Sequence, residues 1–345
     1  MQNETDMRIE GTVLRGREFE PVEGRVIVED GKITAVEEAS VDGDAIVCPA
    51  FVNAHTHIGD SIAKEAGKGL TLEELVGPPN GLKHRLLRQT DRGTLVAAMA
   101  KSLSYMERSG TGAFVDFREG GVDGIEAIDE ALEGSALDGV ILGRETVAAM
   151  ERADGFGASG ANDAEFRAER RATREAGKLF GIHAGEVDST DINQALDLDP
   201  DFLVHMIHAE TLHLERVADS RVPVVVCPRS NLATGVGQPP VEALAERTTV
   251  ALGTDNVFLN SPSMFREMAF TSKLYDLPAR EVLRMATVNG AEIAGLDCGV
   301  VEAGRPARLC VLDGDSDNLS GVHDPVRAVV RRAGTADVER VVLSG

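Results

Sequence analysis

Between residues 47 and 296, apolar runs of strand length alternate with stretches of helix length, and few folds accept that rhythm. It is the pattern of βα units around a parallel sheet. Strands are predicted over 49–53, 112–117, 139–143, 155–158, 179–183, 202–205, 222–227 and 250–253, the fourth of them short and glycine-rich. Helices are predicted between them over 91–108, 124–132, 163–177, 191–196, 212–219, 241–247 and 279–294. Eight strands in about 210 residues fit an α/β fold, a compact (β/α)8 TIM-like barrel. The flanks read differently. Residues 8–47 hold short alternating segments with the hairpin dipeptide Asp30-Gly31, and after Leu296 short strands return over 309–312, 326–330 and 338–343. The two chain ends are therefore expected to meet in one small β-sandwich. That divides the chain into an N-terminal sandwich part (1–47), a barrel (48–296) and a C-terminal sandwich part (297–345).

The candidate chemistry lies at the strand ends. The stretch FVNAHTHI closes the first barrel strand with His55 and His57, which alternation places on one face, where they can share a cation. The fifth strand ends in GIHAGE, with His183 at its edge and Glu186 in the loop beyond; the sixth, FLVHMIHAE, carries His205 and His208; the eighth, VALGTDN, delivers Asp255. In a parallel barrel these carboxyl ends share one face. Imidazoles with a carboxylate suit Zn²⁺ or Fe²⁺ with a position open to water, and such a cation lowers the pKa of water from about 15.7 to about 7. Any one of these histidines alone would read as a core residue; their co-occurrence argues for a site.

Glu145, after the third strand, is a candidate ligand for a second metal. Arg118 and Arg229 are placed to face the barrel mouth, where a guanidinium suits a substrate carboxylate or phosphate, with a salt bridge to Glu119 or another rim acid as the alternative. His84, His213 and His323 read as surface or helix histidines.

The chain carries 57 acidic against 35 basic residues, a net charge of -22, and only seven lysines. Such a charge opposes nucleic acid and anionic membranes, and the acid-rich, lysine-poor balance resembles proteins of halophilic archaea. Met1 to Glu10 is polar and acidic, without the apolar core of a secretory signal, and no run approaches a membrane span. Cys48, Cys227, Cys298 and Cys310 are widely spaced and read as thiols of a reducing cytoplasm.

Taken together, CPAFVNAHTH, His183-x-x-Glu186, His205, CPRSNLATG, ALGTDN and ATVNGAEIAGL resemble the amidohydrolase superfamily, most closely its cytosine deaminase and chlorohydrolase-like branch, over nearly the whole chain. The resemblance implies a distorted (β/α)8 barrel with a small β-sandwich from both chain ends. It also implies that His55, His57, His183 and Asp255 bind one divalent metal, Zn²⁺ or Fe²⁺. Glu186 would shuttle protons, Asp255 would help deprotonate the attacking water, and His205, rather than His208, would polarise the substrate. No lysine lies near the end of the fourth strand, so the carbamylated bridge of binuclear members is missing and one metal is expected. The loop GLTLEELVGPPNGLKHRLL resembles the cap of nucleoside-type deaminases but lacks their tryptophan, and GFGASGAND replaces their histidine motif, which speaks against adenosine-like substrates. The expected function is deamination of a nitrogen heterocycle or related amidine with release of ammonia. Hydrolysis of a cyclic amide or a deacylation at the same site is the alternative, and a non-catalytic relative of the same fold a remote one. The partner is a small molecule, and the helical exterior could support a homodimer.

Overall fold

The computed structural model describes residues 6–343, so the first five positions of the acidic leader stretch, and residues 344 and 345, lie outside the described residues. The strands in order are β1 (Met7–Arg15), β2 (Glu20–Glu29), β3 (Lys32–Glu38), β4 (Ala45–Pro49), β5 (Phe51–His57), β6 (Thr111–Arg118), β7 (Asp138–Gly143), β8 (Gly155–Ala158), β9 (Leu179–Ala184), β10 (Phe202–His205), β11 (Val224–Val226), β12 (Val250–Leu252), β13 (Asp255–Asn256), β14 (Arg308–Leu312) and β15 (Val338–Leu343). They form two sheets. One runs β15-β14-β4-β1-β2-β3; the other, all parallel, runs β12-β11-β10-β9-β8-β7-β6-β5-β13.

The parallel sheet closes through an interrupted eighth strand. β12 pairs with β11, then Gly253 and Thr254 turn the chain so that β13 pairs with β5. Asn53 clamps this seam: its Nδ2 donates to Thr254 Oγ1 at 2.8 Å, and its Oδ1 accepts from Thr254 N at 2.9 Å. Gly253 is required there, because a Cβ would lie 2.7 Å from His55 Cβ. The barrel interior is filled by Val115, Phe117, Leu142, Phe202, Val204 and Val225, which alternate inward along their strands.

The run 46–52, which reads as one buried strand, is two. It breaks at Ala50, whose N–H bonds to Arg308 O at 3.0 Å, so that β4 serves the flank sheet and β5 the barrel. Similarly, 279–294 is two helices, Ala279–Met285 and Val288–Ala294, because Ala286 O accepts the N–H of Val52 at 2.8 Å. The flanks do combine, and they make one six-stranded sheet: β14 lies antiparallel to β4, with Cys310 opposite Cys48. Its apolar face gathers Val13, Val26, Val47, Leu309 and Val311.

One expected strand is a helix. Residues 326–330 lie within the helix Pro325–Arg331, where Asp324 accepts from Arg327 N at 2.9 Å and Pro325 takes the first turn. Val326, Val329 and Val330 then fall at the 3–4 spacing of one buried face, which packs on the helices Met264–Leu274 and Ala279–Met285. The long connection after β5 forms a cap built of α1 (Leu72–Val76) and α2 (Leu82–Gln89), before α3 (Arg92–Arg108) returns to the barrel wall. Among the described residues no helix is long and apolar enough to cross a membrane.

Candidate active site

His55 and His57 alternate along β5 and bring their ring centres to 4.9 Å. His183 near the end of β9, His205 at the end of β10 and Asp255 at the start of β13 converge on them from the same barrel end. Phe117 of β6 forms the floor, its ring centre 4.7 Å from that of His55 and 5.1 Å from that of His183. His205 and Asp255 both hold left-handed backbone, at φ 78 and 59. Non-glycine residues keep such conformations where the surroundings over-determine them, and functional sites are where they collect.

Two triads, His55-His57-His183 and His55-His205-Asp255, each offer three ligating atoms within 4.8 Å of one another. His55 is common to both. It is fully buried, and neither ring nitrogen has a hydrogen-bond partner. Its Nε2 lies 3.4 Å from Asp255 Oδ1, and His57 Nε2 lies 3.6 Å from the same oxygen. Behind the cluster, His57 Nδ1 is 2.8 Å from Glu119 Oε1 and 3.1 Å from Phe117 O, while His183 Nδ1 is 2.8 Å from Ala158 O. These acceptors hold the proton on Nδ1 and leave Nε2 with a lone pair facing inward.

Burial sets the charge states. Desolvation lowers His55, takes His57 down to about 3 and places His183 well below the ordinary histidine range. The rings are therefore neutral, the form that ligates. Burial would raise Asp255, yet the adjacent His55 ring, 3.4 Å away, and the facing His205 and His57 hold it well below the carboxylate range. Ser230 Oγ and Asn256 Nδ2 donate to its two oxygens at 2.6 and 2.9 Å. Neutral imidazoles, a charged carboxylate and an unpartnered ring together fit a divalent cation.

Glu186 stands in the loop after β9, its Oε2 3.6 Å from His205 Nε2. Burial pushes its carboxyl pKa up, with Asp255 adding to the rise and His205 opposing it. His208 is half-buried and belongs to neither triad. Glu145 accepts from Gly120 N at 3.0 Å and, among the described residues, joins neither triad. The two arginines expected to meet substrate are engaged internally. Arg118 is buried against Glu119 (Nη2 to Oε2, 3.2 Å), and Arg229 against Glu267 (Nε to Oε2, 2.6 Å), because a guanidinium this deep needs a carboxylate. His84 and His213 are tied to local backbone, at Val76 O and Glu210 N.

Sequence reasoning missed Lys83, Asp60, Asp116 and the central part played by Glu119. Glu119 Oε1 receives Lys83 Nζ at 2.7 Å and Arg144 Nη1 at 3.0 Å as well as His57. Burial would raise Glu119, but Lys83, His57 and Arg144 hold it well below its ordinary value. Asp60 and Asp116 are pushed up by burial, and each keeps one oxygen without a partner. Asp116 and Glu119 were visible at the end of FVDFRE; Lys83, in a polar cap sequence, gave no signal beyond the scarcity of lysine. Beside Glu119 opens a cleft of about 920 Å³, lined by Pro78 and Pro79 of the cap, Arg144, Phe156 and Gly157. That volume suits a small-molecule substrate.

Residues 46–197 and 184–345 match the sequence profile of the amidohydrolase family. A protein of Methanothermobacter thermautotrophicus, named provisionally as an aminohydrolase, is 36% identical, with 97% of each chain covered. The 5-methylthioadenosine/S-adenosylhomocysteine deaminase of Halobacterium salinarum is 28% identical over 98% of this chain and 91% of its own. Among solved structures, an adenosine deaminase from Xanthomonas campestris with bound zinc superposes with a TM-score of 0.84 at 20% identity, covering 99% of this chain and 92% of that one. At that identity the likeness speaks for the fold alone.

Proposed function

The chain belongs to the amidohydrolase family, and from that premise we propose that it hydrolytically deaminates a nitrogen heterocycle with one divalent cation, Zn²⁺ first, held by His55, His57, His183 and Asp255. It is a hydrolase of carbon–nitrogen bonds other than peptide bonds. The observation that carries the metal reading is His55, buried with both ring nitrogens unpartnered at the meeting point of the two triads.

When bound, the cation supplies the Lewis acidity that makes water a nucleophile at neutral pH. Asp255, ionised and beside His55 and His57, accepts a proton from the attacking water. The water oxygen bonds to the ring carbon that bears the amino group as the π pair of the adjacent C=N bond moves onto the ring nitrogen, which takes the proton held by Asp255. Glu186, its carboxyl raised by burial, delivers its proton to the leaving nitrogen; the C–N bond breaks, ammonia departs, and the hydroxyl proton returns to Glu186 as the ring carbon becomes a carbonyl. His205 is distinguished from the ligands by its neighbour. Asn231 Nδ2 is buried without a partner, while its Oδ1 lies 3.2 Å from His205 Nδ1. With that amide turned over, Nδ2 donates to Nδ1 and leaves His205 Nε2–H as a donor to the substrate, the polarising role.

The acid-rich, lysine-poor composition supports a working environment of high salt, and the four unpaired cysteines support the cytoplasm. Relatives named for adenosine-type deamination keep those substrates in contention despite the missing tryptophan. The test is ammonia release in molar salt with Zn²⁺ or Fe²⁺ across nucleosides, aminopurines, aminopyrimidines and pterins. A hit is expected to fall about 100- to 10,000-fold in Glu186→Gln with cation binding retained. Silence across the panel, with cyclic amides opened instead, would overturn deamination.

A further inference from the structure

Lys83 is the only side chain of α2 buried at the mouth of the barrel, and it does not touch a proposed ligand. It touches the partners of two of them. Its Nζ lies 2.7 Å from Glu119 Oε1, the atom that accepts from His57 Nδ1, and 3.2 Å from Asn256 Oδ1, on the amide whose Nδ2 donates to Asp255. Asp60 Oδ2, otherwise without a partner, stands 3.9 Å away. One ammonium thus joins a cap helix to the ends of β6 and β13. Elsewhere the cap is held by a small apolar cluster whose buried members are Ala63, Leu75 and Phe258.

We propose that Lys83 is a positioning residue that makes docking of the cap and retention of the cation a single equilibrium, acting on His57 through Glu119 and on Asp255 through Asn256. With the cap docked, the ammonium fixes both acceptors in the orientation that aims His57 Nε2 and the Asp255 carboxylate inward. With the cap lifted, Glu119 and Asn256 lose their shared donor and the two ligands lose their orientation together. Groups behind the ligands tune metal affinity as strongly as this, and the coupling is reciprocal: a cation that favours oriented ligands must favour the docked cap. Pro78 and Pro79 of the same cap line the cleft beside Glu119, so docking of the cap also shapes that cleft.

The inference rests on the cation site proposed above, and the experiment separates the two. Zn²⁺ affinity is measured by chelator competition, and amide exchange over residues 72–89 is followed with and without Zn²⁺, for wild type, Lys83→Met, Lys83→Arg and Thr71→Ala. Thr71→Ala breaks the Thr71–Glu74 capping box of α1 and leaves the Lys83 contacts in place. Expected are a 10- to 100-fold loss of affinity in Lys83→Met, partial recovery in Lys83→Arg, and wild-type affinity in Thr71→Ala. Zn²⁺ is expected to slow exchange of α2 amides in wild type and not in Lys83→Met. Wild-type affinity in a folded Lys83→Met, or an equal loss in Thr71→Ala, overturns the positioning role while the cation site stands. Should Lys83→Met fail to fold, unchanged α2 exchange on Zn²⁺ binding to wild type overturns it equally. A wild-type protein that binds no Zn²⁺ sinks the cation site and this inference together.

Discussion

The flank sheet and the barrel mouth are both knitted from distant parts of the chain, and they settle their polar groups in opposite ways. In the sheet, Cys48 meets Cys310, 262 positions away, and Val13, Val26, Leu309 and Val311 fill the buried face. Among the described residues no buried side-chain polar atom of β1–β4, β14 or β15 lacks a partner. At the mouth, Asn53 meets Thr254, 201 positions away, yet both nitrogens of His55 and one oxygen each of Asp60 and Asp116 are buried without partners. An unsatisfied buried polar group costs about 1–3 kcal/mol. The mouth keeps several because a metal and a substrate can use them; the sheet has no such use and keeps none.

That contrast is testable as a double dissociation. His55→Leu is expected to abolish cation binding and turnover while the cation-free protein unfolds at an equal or higher denaturant midpoint, since two orphaned polar atoms are replaced by methyls. Leu309→Ala is expected to do the reverse, losing about 2–5 kcal/mol of stability with turnover of the folded enzyme unchanged. Urea unfolding and cation titration on both proteins decide it. A destabilised His55→Leu would show that His55 is held by packing, as the sheet residues are.

Acid sharpens the same comparison at smaller scale. His57 titrates near 6.5 when unfolded and at about 3 in the fold, because burial disfavours its charge. Between those values the unfolded chain binds a proton that the folded one does not, so stability falls as pH drops from 6.5 toward 3. Asp60, Asp116 and Glu186, raised by burial, work in the opposite direction. They are common to a His57→Leu variant and cancel in the difference. The cation-free wild type should therefore lose, relative to that variant, about 1.4 kcal/mol per pH unit below 6.5. A flat difference between pH 7 and pH 5 would mean that His57 is not held neutral by burial.

How much could be read in advance follows the same division. The eight barrel strands were legible because parallel strands buried on both faces write continuous apolar runs, and His55, His57, His183, Glu186, His205 and Asp255 stand at or just beyond their ends. Lys83 was not legible, since its position depends on how α2 folds back over the mouth and no local pattern encodes that. Arg118 and Arg229 were placed just after the right strands with two readings open, substrate or rim acid: strand order fixes where a side chain starts, and packing decides for the acid, Glu119 as the sequence had offered and Glu267, which it had not named. Residues 326–330 were misread for a different reason. Three valines argued for a strand, while Asp324, Pro325 and the 3–4 spacing argued for a capped helix, and the cap was the better guide.

That helix is where the two regions meet, and it gives the smallest test. It leaves the flank sheet after β14 and lays Val326, Val329 and Val330 on barrel helices before β15 returns. If the cap is what selects helix over strand, Asp324→Ala should cost about 1 kcal/mol, and Asp324→Asn, which can still accept from Arg327 N, should cost only a few tenths. Cation affinity should not change in either, because the elements this helix chiefly packs against, the helices Met264–Leu274 and Ala279–Met285, carry no proposed ligand. Equal losses in both variants would mean that the valine face alone holds the helix. A change in cation affinity would mean that flank and mouth are mechanically joined through the helices Met264–Leu274 and Ala279–Met285, and the division drawn between a satisfied sheet and an unsatisfied mouth would have to be redrawn as a single coupled structure.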